Sequence, residues 1–490
     1  MKLRDIHSAS RRGLWALLIA VVLMRLTSLG AYPLTDTTEA RYGEIARLMK
    51  ETGDWITPRI SQDVPFWGKP PLSFWFSAAS MKFFGVNEFA ARLPSWLLGI
   101  MVSAMVWQLA VRQINRGYAL TTTLVLNTAI VFWISSGAVM TDPTLLVGVT
   151  VCMIAFWRAM KFKETSGRLW GYVFFAGLLI GLLAKGPVAL VLTGLPVGGW
   201  TLLRWKWREV WQRLPWISGV ILTAALSVPW HWMAEVKTPG FLEYFLIGEH
   251  WKRFLVPNWD GDLYGSAHLQ PRGMIWLYWL ACVLPWSIMA PLIFLRKQYR
   301  KSVFILFSRP DDWTLYLILW TVAPIIFFTL ARNILPAYVL PGIPAFALLL
   351  AKLFQLRQED RPVPTAWCLL WTASAMLLVF TLALTIVSLG YGVSVRSQKE
   401  LVTAFQESRR DKNSQLVYLF KRPCSAQFYS DGMAGVAATT GEADSFSGNG
   451  AIDYFAVRAS LLERIPPSFL DRVSVLGLIN RYYLLREQIP

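Results

Sequence analysis

Eleven long apolar runs, a sparse charge content and a lopsided placement of Lys and Arg predict an all-α polytopic membrane protein, completed by a small C-terminal α/β domain. The 490 residues are 55% hydrophobic and only 16% charged, whereas a soluble chain carries about 25% charge. So apolar a composition excludes intrinsic disorder, and four cysteines exclude a disulfide scaffold. The formal net charge of +18 fits either a nucleic-acid binder or a membrane protein, and its position along the chain separates the two.

A helix needs about 20 apolar residues to cross about 30 Å of hydrocarbon. Such runs cover 13–31, 92–112, 118–137, 143–160, 168–184, 187–203, 214–234, 273–295, 313–331, 335–354 and 366–390. Backbone groups in lipid must satisfy one another, so each run is expected to be helical, giving eleven to thirteen spanning helices. The first run follows Lys2, Arg4, Arg11 and Arg12, as in a secretory signal, yet no small-x-small cleavage site follows and Arg25 interrupts it. It is read as an uncleaved span.

With the N-terminus inside, the inner segments hold 22 basic and 7 acidic residues, and the remainder is close to balance, 26 against 23. Basic residues concentrate on the cytoplasmic side. The charge therefore reports topology, and no nucleic-acid partner is expected. An odd number of spans then places the tail, 391–490, outside, and leaves 1–390 as the membrane domain. Short β-like runs at Gln415–Phe420, Ile452–Arg458 and Arg481–Arg486, with a Gly/Ser-rich stretch at 431–450, suggest the α/β fold of that tail. It holds one cysteine, Cys424, so no disulfide can form within it.

Two outer loops are long, roughly 32–91 and 235–272, and the chemistry-bearing residues collect there and at tight outer turns. In Asp36-Thr37-Thr38-Glu39-Ala40-Arg41-Tyr42, the later Tyr42, Ile45, Ala46 and Met49 recur at helical spacing, with Arg41, Glu44 and Lys50 largely opposite. That is an amphipathic helix suited to a membrane surface. Asp36 with Glu39 is also a capping pattern, so the two acids serve either as a helix cap or as reactive carboxylates. Pro65-Phe66-Trp67-Gly68-Lys69-Pro70-Pro71 sets a lysine between rigid neighbours, to snorkel toward headgroups or to meet a phosphate. Asp142-Pro143 opens a helix at an outer junction. Lys185, Arg332 and the run Glu249-His250-Trp251-Lys252-Arg253 add charge on the same side. Fixed cations stabilise charge developing on a departing phosphate, and a carboxylate near an incoming hydroxyl can take its proton. The set suits group transfer from a lipid phosphate at the outer face.

In their order, TEARYGEIARLM, GDWITP, FWGKPPLSFW, FGVNEFAARLPS, MTDP, AKGP, EHWKRF and FFTLARNILPAYVLP resemble bacterial polyprenyl-phosphate-sugar transferases. The resemblance covers about residues 20–350. It is to the aminoarabinose transferases that modify lipid A, within the protein O-mannosyltransferase group of the C-type membrane glycosyltransferases. It implies a sugar donor on undecaprenyl phosphate, 4-amino-4-deoxy-L-arabinose or another glycosyl group, and inversion at the anomeric carbon. The implied acceptor, on the periplasmic face of the inner membrane, is lipid A, another glycan or a protein. Family acids fall on Asp142 and on the first loop, where the usual Asp-Glu pair aligns with Thr38-Glu39. The catalytic role passes to Asp36 two positions earlier, with Glu39 its competitor. Lys69, Lys185 and Arg253 match the cations near the lipid phosphate, Arg332 assists, and Glu249, His250 and Tyr338 are candidate contacts to phosphate or acceptor. The aminoarabinose enzymes pair a Glu before the Lys-Pro with this His to bind a divalent metal. Here Gly68 replaces that Glu, so His250 lacks its partner.

Two other classes fit the composition. A lipid or solute transporter would set ionisable groups near the midplane, whereas these crowd one face. A non-catalytic subunit for lipid-linked glycans would share the residues and lack turnover.

Overall fold

The computed structural model describes residues 3–161, 165–256, 259–265, 269–294, 297–360, 362–409, 411–443, 445–446 and 451–488. Of the charged residues counted on the inner side, Lys2, Lys163, Glu164, Arg296 and Arg361 lie outside the described residues, as do 444 and 447–450 of the Gly/Ser-rich stretch.

Every apolar run is helical, but the runs are not eleven ideal spans. Among the described residues seven helices are long and apolar enough to cross a bilayer: Arg11–Gly30, Glu88–Gln113, Asp142–Lys161, Gly167–Lys185, Trp216–Lys237, Pro336–Gln355 and Ala366–Ser388. Met274–Cys282 and Trp286–Phe294 form a pair bent by 85°, while Val188–Arg204 and Asp312–Phe328 are shorter apolar helices. The expected span 118–137 is parted at extended Ala129 into Arg116–Thr128 and Ile130–Ser135. The break is repaired by the bent pair: Ile130 N donates to Leu284 O at 3.2 Å, and Trp286 Nε1 to Thr128 Oγ1 at 3.1 Å. The close pair 168–184 and 187–203 does divide, at Gly186, whose φ of +77° no β-carbon tolerates well. A Cβ there would also come within 2.5 Å of the Phe245 ring.

The first loop folds as a helix, Thr38–Thr52, a short hairpin of β1 (Arg59–Ser61) and β2 (Val64–Pro65), and a second helix, Leu72–Phe84. Tyr42, Ile45, Ala46 and Met49 do share a buried face, packed with Phe66, Phe74 and Met81. The opposite, polar face is not simply turned to water. Glu44 and Arg47 are each 1% exposed and joined in an ion pair at 2.7 Å, because the C-terminal domain covers them and adds Phe428 to the same core. The capping expectation also changes. Thr37 stands at the N-cap without a side-chain hydrogen bond, and Glu39 accepts from Thr35 N at 3.3 Å.

Glu39 is chiefly the partner of Arg92. The guanidinium donates through Nε and Nη2 to its carboxylate at 2.7 and 2.8 Å, and through Nη1 and Nη2 to the carbonyls of Leu29, Tyr32 and Pro33. The carboxylate also accepts from Val139 N at 3.2 Å.

The tail comprises a helix, Lys399–Ser408, and a five-stranded sheet of β3 (Leu416–Leu419), β4 (Gly435–Ala437), β5 (Tyr454–Arg458), β6 (Val473–Ile479) and β7 (Tyr482–Glu487), in the order β4-β3-β5-β7-β6. β3 is parallel to β4 and β5, and β7 is antiparallel to both its neighbours. The three strands expected from the sequence are present. β4 and β6 were not expected, since one lies in the Gly/Ser-rich stretch and the other keeps Val475, Leu476 and Leu478 exposed.

Breaking a buried ion pair from one side costs about 3–5 kcal/mol. Glu39→Gln should therefore lower stability by about that amount, read as a fall in melting temperature of the detergent-solubilised protein. An unchanged melting temperature would show that Glu39 carries no such structural role.

Candidate active site

A cavity of about 440 Å³ opens between the helix ends and the second long loop, and it gathers seven of the ten residues singled out by sequence: Lys69, Asp142, Lys185, Glu249, His250, Arg253 and Tyr338. Each is held by its local structure. Asp142 begins the Asp142–Lys161 helix and Lys185 ends the helix before the Gly186 turn, so the two meet with Lys185 Nζ donating to Asp142 Oδ1 at 2.7 Å. The same ammonium lies 4.6 Å from the Tyr338 ring centroid, where the π face stabilises a cation.

Lys69 does not snorkel. Its Nζ donates to the Glu249 carboxylate and to Gly68 O, and it is 14% exposed. Arg253 Nη1 donates to both Glu249 oxygens at 2.8 Å. Glu249 thus lies between two cations. Burial alone would raise its pKa, yet Lys69 and Arg253 together hold it below the ordinary value. Three cations thus line the cavity with two carboxylates, and Arg253 Nη2 also lies 3.5 Å from Asp262 Oδ2 behind it. Its other walls are apolar: Leu145, Val188, Val191, Leu192, Leu246, Phe254, Phe327 and Phe328.

His250 is held between two backbone carbonyls. It sits in a π-helical turn, Glu243–Lys252, with Nδ1 at 2.7 Å from Phe245 O and Nε2 at 3.0 Å from Lys185 O. A carbonyl only accepts, so the neutral imidazole donates to one of the two, and burial, which lowers its pKa, favours that neutral form. No group of three His, Cys, Asp or Glu gathers among the described residues. At Gly68 a Cβ would approach the Phe66 ring to 2.9 Å, so a larger residue there would have to displace Phe66. Among the described residues, then, no donor set for a divalent cation is gathered at His250.

Three expected residues lie elsewhere. Glu39 is consumed by Arg92. Arg332 does not line the cavity; its carbonyl accepts from Gln270 N at 2.8 Å and its Nε is buried without a hydrogen-bond partner among the described residues. Asp36 faces the C-terminal domain, where it accepts from Ser425 N at 2.9 Å and from the Ser425 hydroxyl. In return Asn333 joins the site: it lines the cavity and its Nδ2 donates to Arg253 O at 2.6 Å. Its signal in the sequence was adjacency to Arg332 in an outer turn, where only one of two neighbours can face inward. Val188, Val191 and Leu192 were legible as a stripe at helical spacing.

Comparison with known proteins follows the same lines. The dolichyl-phosphate-mannose-protein mannosyltransferase family matches residues 14–245. An undecaprenyl phosphate-alpha-4-amino-4-deoxy-L-arabinose arabinosyl transferase of Serratia proteamaculans is 31% identical over 350 residues, 69% of this chain and 59% of the relative. Its counterpart from Aeromonas salmonicida is 30% identical over 344 residues, with the same coverage. The matched part of the chain thus spans 59% of the length of these relatives. Among solved structures, ArnT from Cupriavidus metallidurans bound to undecaprenyl phosphate superposes with a TM-score of 0.77 at 20% identity, over 97% of this chain and 98% of that one. The archaeal oligosaccharyltransferase AglB from Archaeoglobus fulgidus gives 0.51 at 10% identity, over 91% and 69%. The chain is a multi-pass membrane protein whose resemblance to polyprenyl-phosphate-sugar transferases of the ArnT and protein mannosyltransferase group holds in sequence and in fold. Its particular architecture is ArnT-like, from the first span to the small sheet of the tail.

Because the folded pKa of Glu249 is depressed, its ion pairs contribute stability in full above the ordinary value of 4.5 and lose it as pH falls through the lower folded value. The melting-temperature gap between the native protein and Glu249→Gln should stay constant from about pH 8 to 5 and close below about pH 4.5. A gap that varied across neutral pH would mean that Glu249 is not held ionised by these cations.

Proposed function

We propose that the chain is an integral membrane glycosyltransferase that moves a sugar from undecaprenyl phosphate to an acceptor at the periplasmic face of the bacterial inner membrane. The observation that carries this reading is the mixed lining of the cavity, where three cations share the walls with Leu, Val and Phe. A phosphate needs the first and a polyprenyl chain the second. The named activity of the arabinosyl transferases supports a pentosyl donor such as 4-amino-4-deoxy-L-arabinose, with lipid A, another glycan or a protein as acceptor. The excess of basic residues on one side supports a cytoplasmic N-terminus and a periplasmic tail.

In the proposed reaction an acceptor oxygen attacks the anomeric carbon in line with the departing phosphate. The carbon–oxygen bond to phosphate breaks, the configuration inverts, and the electron pair leaves on undecaprenyl phosphate. Lys69, Lys185 and Arg253 neutralise that charge as it develops. Asp142 is the cavity acid best placed to orient an acceptor hydroxyl and receive its proton. Asp142 is already engaged with Lys185, and for an acceptor that is itself anionic no base is needed, so that Asp142 would only orient it. Tyr338 and Asn333 keep Lys185 and Arg253 in place.

A charge-assisted contact is worth about 1.5–3 kcal/mol, or roughly 10- to 100-fold in rate. Lys69→Ala and Arg253→Ala should each lower sugar transfer by roughly that factor in a membrane assay with an undecaprenyl-phosphate-linked sugar. Mass spectrometry of lipid A and surface glycans from cells with and without the gene should show the loss of one sugar mass. Full activity in both variants, with unchanged glycans in the deleted strain, would overturn the reading.

A further inference from the structure

Asp36 remains to be explained. It is partly buried, is not a wall of the cavity, and all its side-chain hydrogen bonds go to a residue 389 positions away. Its carboxylate accepts the backbone N–H of Ser425 at 2.9 Å through Oδ1 and the hydroxyl of Ser425 through Oδ2. Ser425 is fully buried, and its oxygen also accepts from Gln398 N at 3.0 Å. The backbone joins in, since Asp36 N donates to Arg396 O at 3.1 Å. Around this point the contact is continuous: Leu34 N donates to the Tyr429 hydroxyl at 2.7 Å, and that hydroxyl donates to Glu88, which also receives Lys399 Nζ at 2.6 Å.

The location within the sheet is telling. Ser425 follows β3, at the carboxyl end of the parallel strands β4-β3-β5. Open α/β sheets receive ligands at that edge, where the strand order reverses. In this tail the visitor is a carboxylate of the same chain.

We infer that Asp36 is a docking residue, which seats the tail on the first outer loop and so holds the Thr38–Thr52 helix in place, and that it is not the base of the transfer reaction. That helix carries Glu39, Arg41 and Tyr42. Arg41 Nη1 donates to Tyr264 O of the second loop, and Tyr42 packs edge-on against Phe66 and Phe74 at 5.9 and 5.2 Å. Phe66 lies three residues before Lys69. The docking contact therefore leads by direct packing to the segment that presents the phosphate-binding lysine. Asp36 is a positioning residue: an amide in its place keeps one oxygen for the Ser425 N–H, and its Nδ2 can donate to the Ser425 oxygen where the second carboxylate oxygen now accepts.

Only the turnover arm of the test rests on the transferase reading. Full-length protein in nanodiscs is compared by hydrogen exchange over residues 38–52 and by sugar transfer. Asp36→Ala and Ser425→Ala should each speed exchange there by about tenfold, and combining them should add little, because both remove the same contact. Asp36→Asn should stay within about threefold of the native protein in both exchange and transfer. Lys69→Ala serves as the reference, losing transfer with exchange unchanged. If Asp36→Asn abolishes transfer while exchange stays native, Asp36 is the reaction's base and the docking role is overturned. Exchange left unchanged by Ser425→Ala overturns it as well. Should the native protein transfer no sugar at all, the transferase reading fails, and the exchange arms still decide the role of Asp36.

Discussion

The structure at the loop end of the bundle depends on one buried guanidinium. Arg92 has five N–H donors, and all five are used: two on the Glu39 carboxylate and three on the carbonyls of Leu29, Tyr32 and Pro33. Its plane also lies 3.9 Å from the Tyr32 ring centroid. An isolated charge in such a place would cost several kcal/mol. Here that cost is offset because the exit of the first span and the start of the first loop bend around the guanidinium and supply every acceptor. Glu39 adds Val139 N, which ties in the turn before Asp142. One fork-shaped donor thus sets the positions of the first span, the loop helix and the turn that delivers the cavity acid. Lysine, with three donors and no plane, could not do this.

The cavity uses charge in a different manner. Where Arg92 is saturated by one carboxylate and three carbonyls, Lys69 and Arg253 meet at Glu249, and Arg253 Nη2 also lies 3.5 Å from Asp262 Oδ2. Lys185 is matched by Asp142 and rests on Tyr338. An anion entering this end meets cations already fixed in position, with no reorganisation left to make, which is the arrangement that favours charge developing on a leaving group. The apolar walls sharpen the effect by lowering the local dielectric.

Much of this was legible in the sequence, and the division has a physical basis. The spans follow from hydropathy because lipid leaves the backbone no other solution. Lys69, Asp142, Lys185 and Arg253 sit beside prolines, helix ends or a positive-φ glycine, local features that fix a side chain near its own backbone. The errors fall where the deciding partner is distant. Nothing near Glu39 announces Arg92, 53 residues on, and nothing near Asp36 announces Ser425, 389 residues on. Glu44 and Arg47 belong on the polar face of a helix read alone and become core once the tail covers them. Likewise, only the π-helical turn shows that His250 lies between the carbonyls of Phe245 and Lys185.

The position of Asp36 also bears on what the tail is for. A carboxylate that ionises while losing water has its pKa raised, and burial does raise that of Asp36 against the opposing hydrogen bonds from Ser425. Asp36 does not line the cavity that holds Lys69. The same geometry makes good sense as a contact between domains. The tail's sheet turns its ligand-receiving edge inward and uses it on its own chain, so that edge is not open to a sugar or a lipid headgroup. The first loop is tied in turn to the second, where Tyr264 receives Arg41 through its carbonyl and donates its hydroxyl to Pro65 O at 2.9 Å, so the tail, the first loop and the second are joined in one run of contacts.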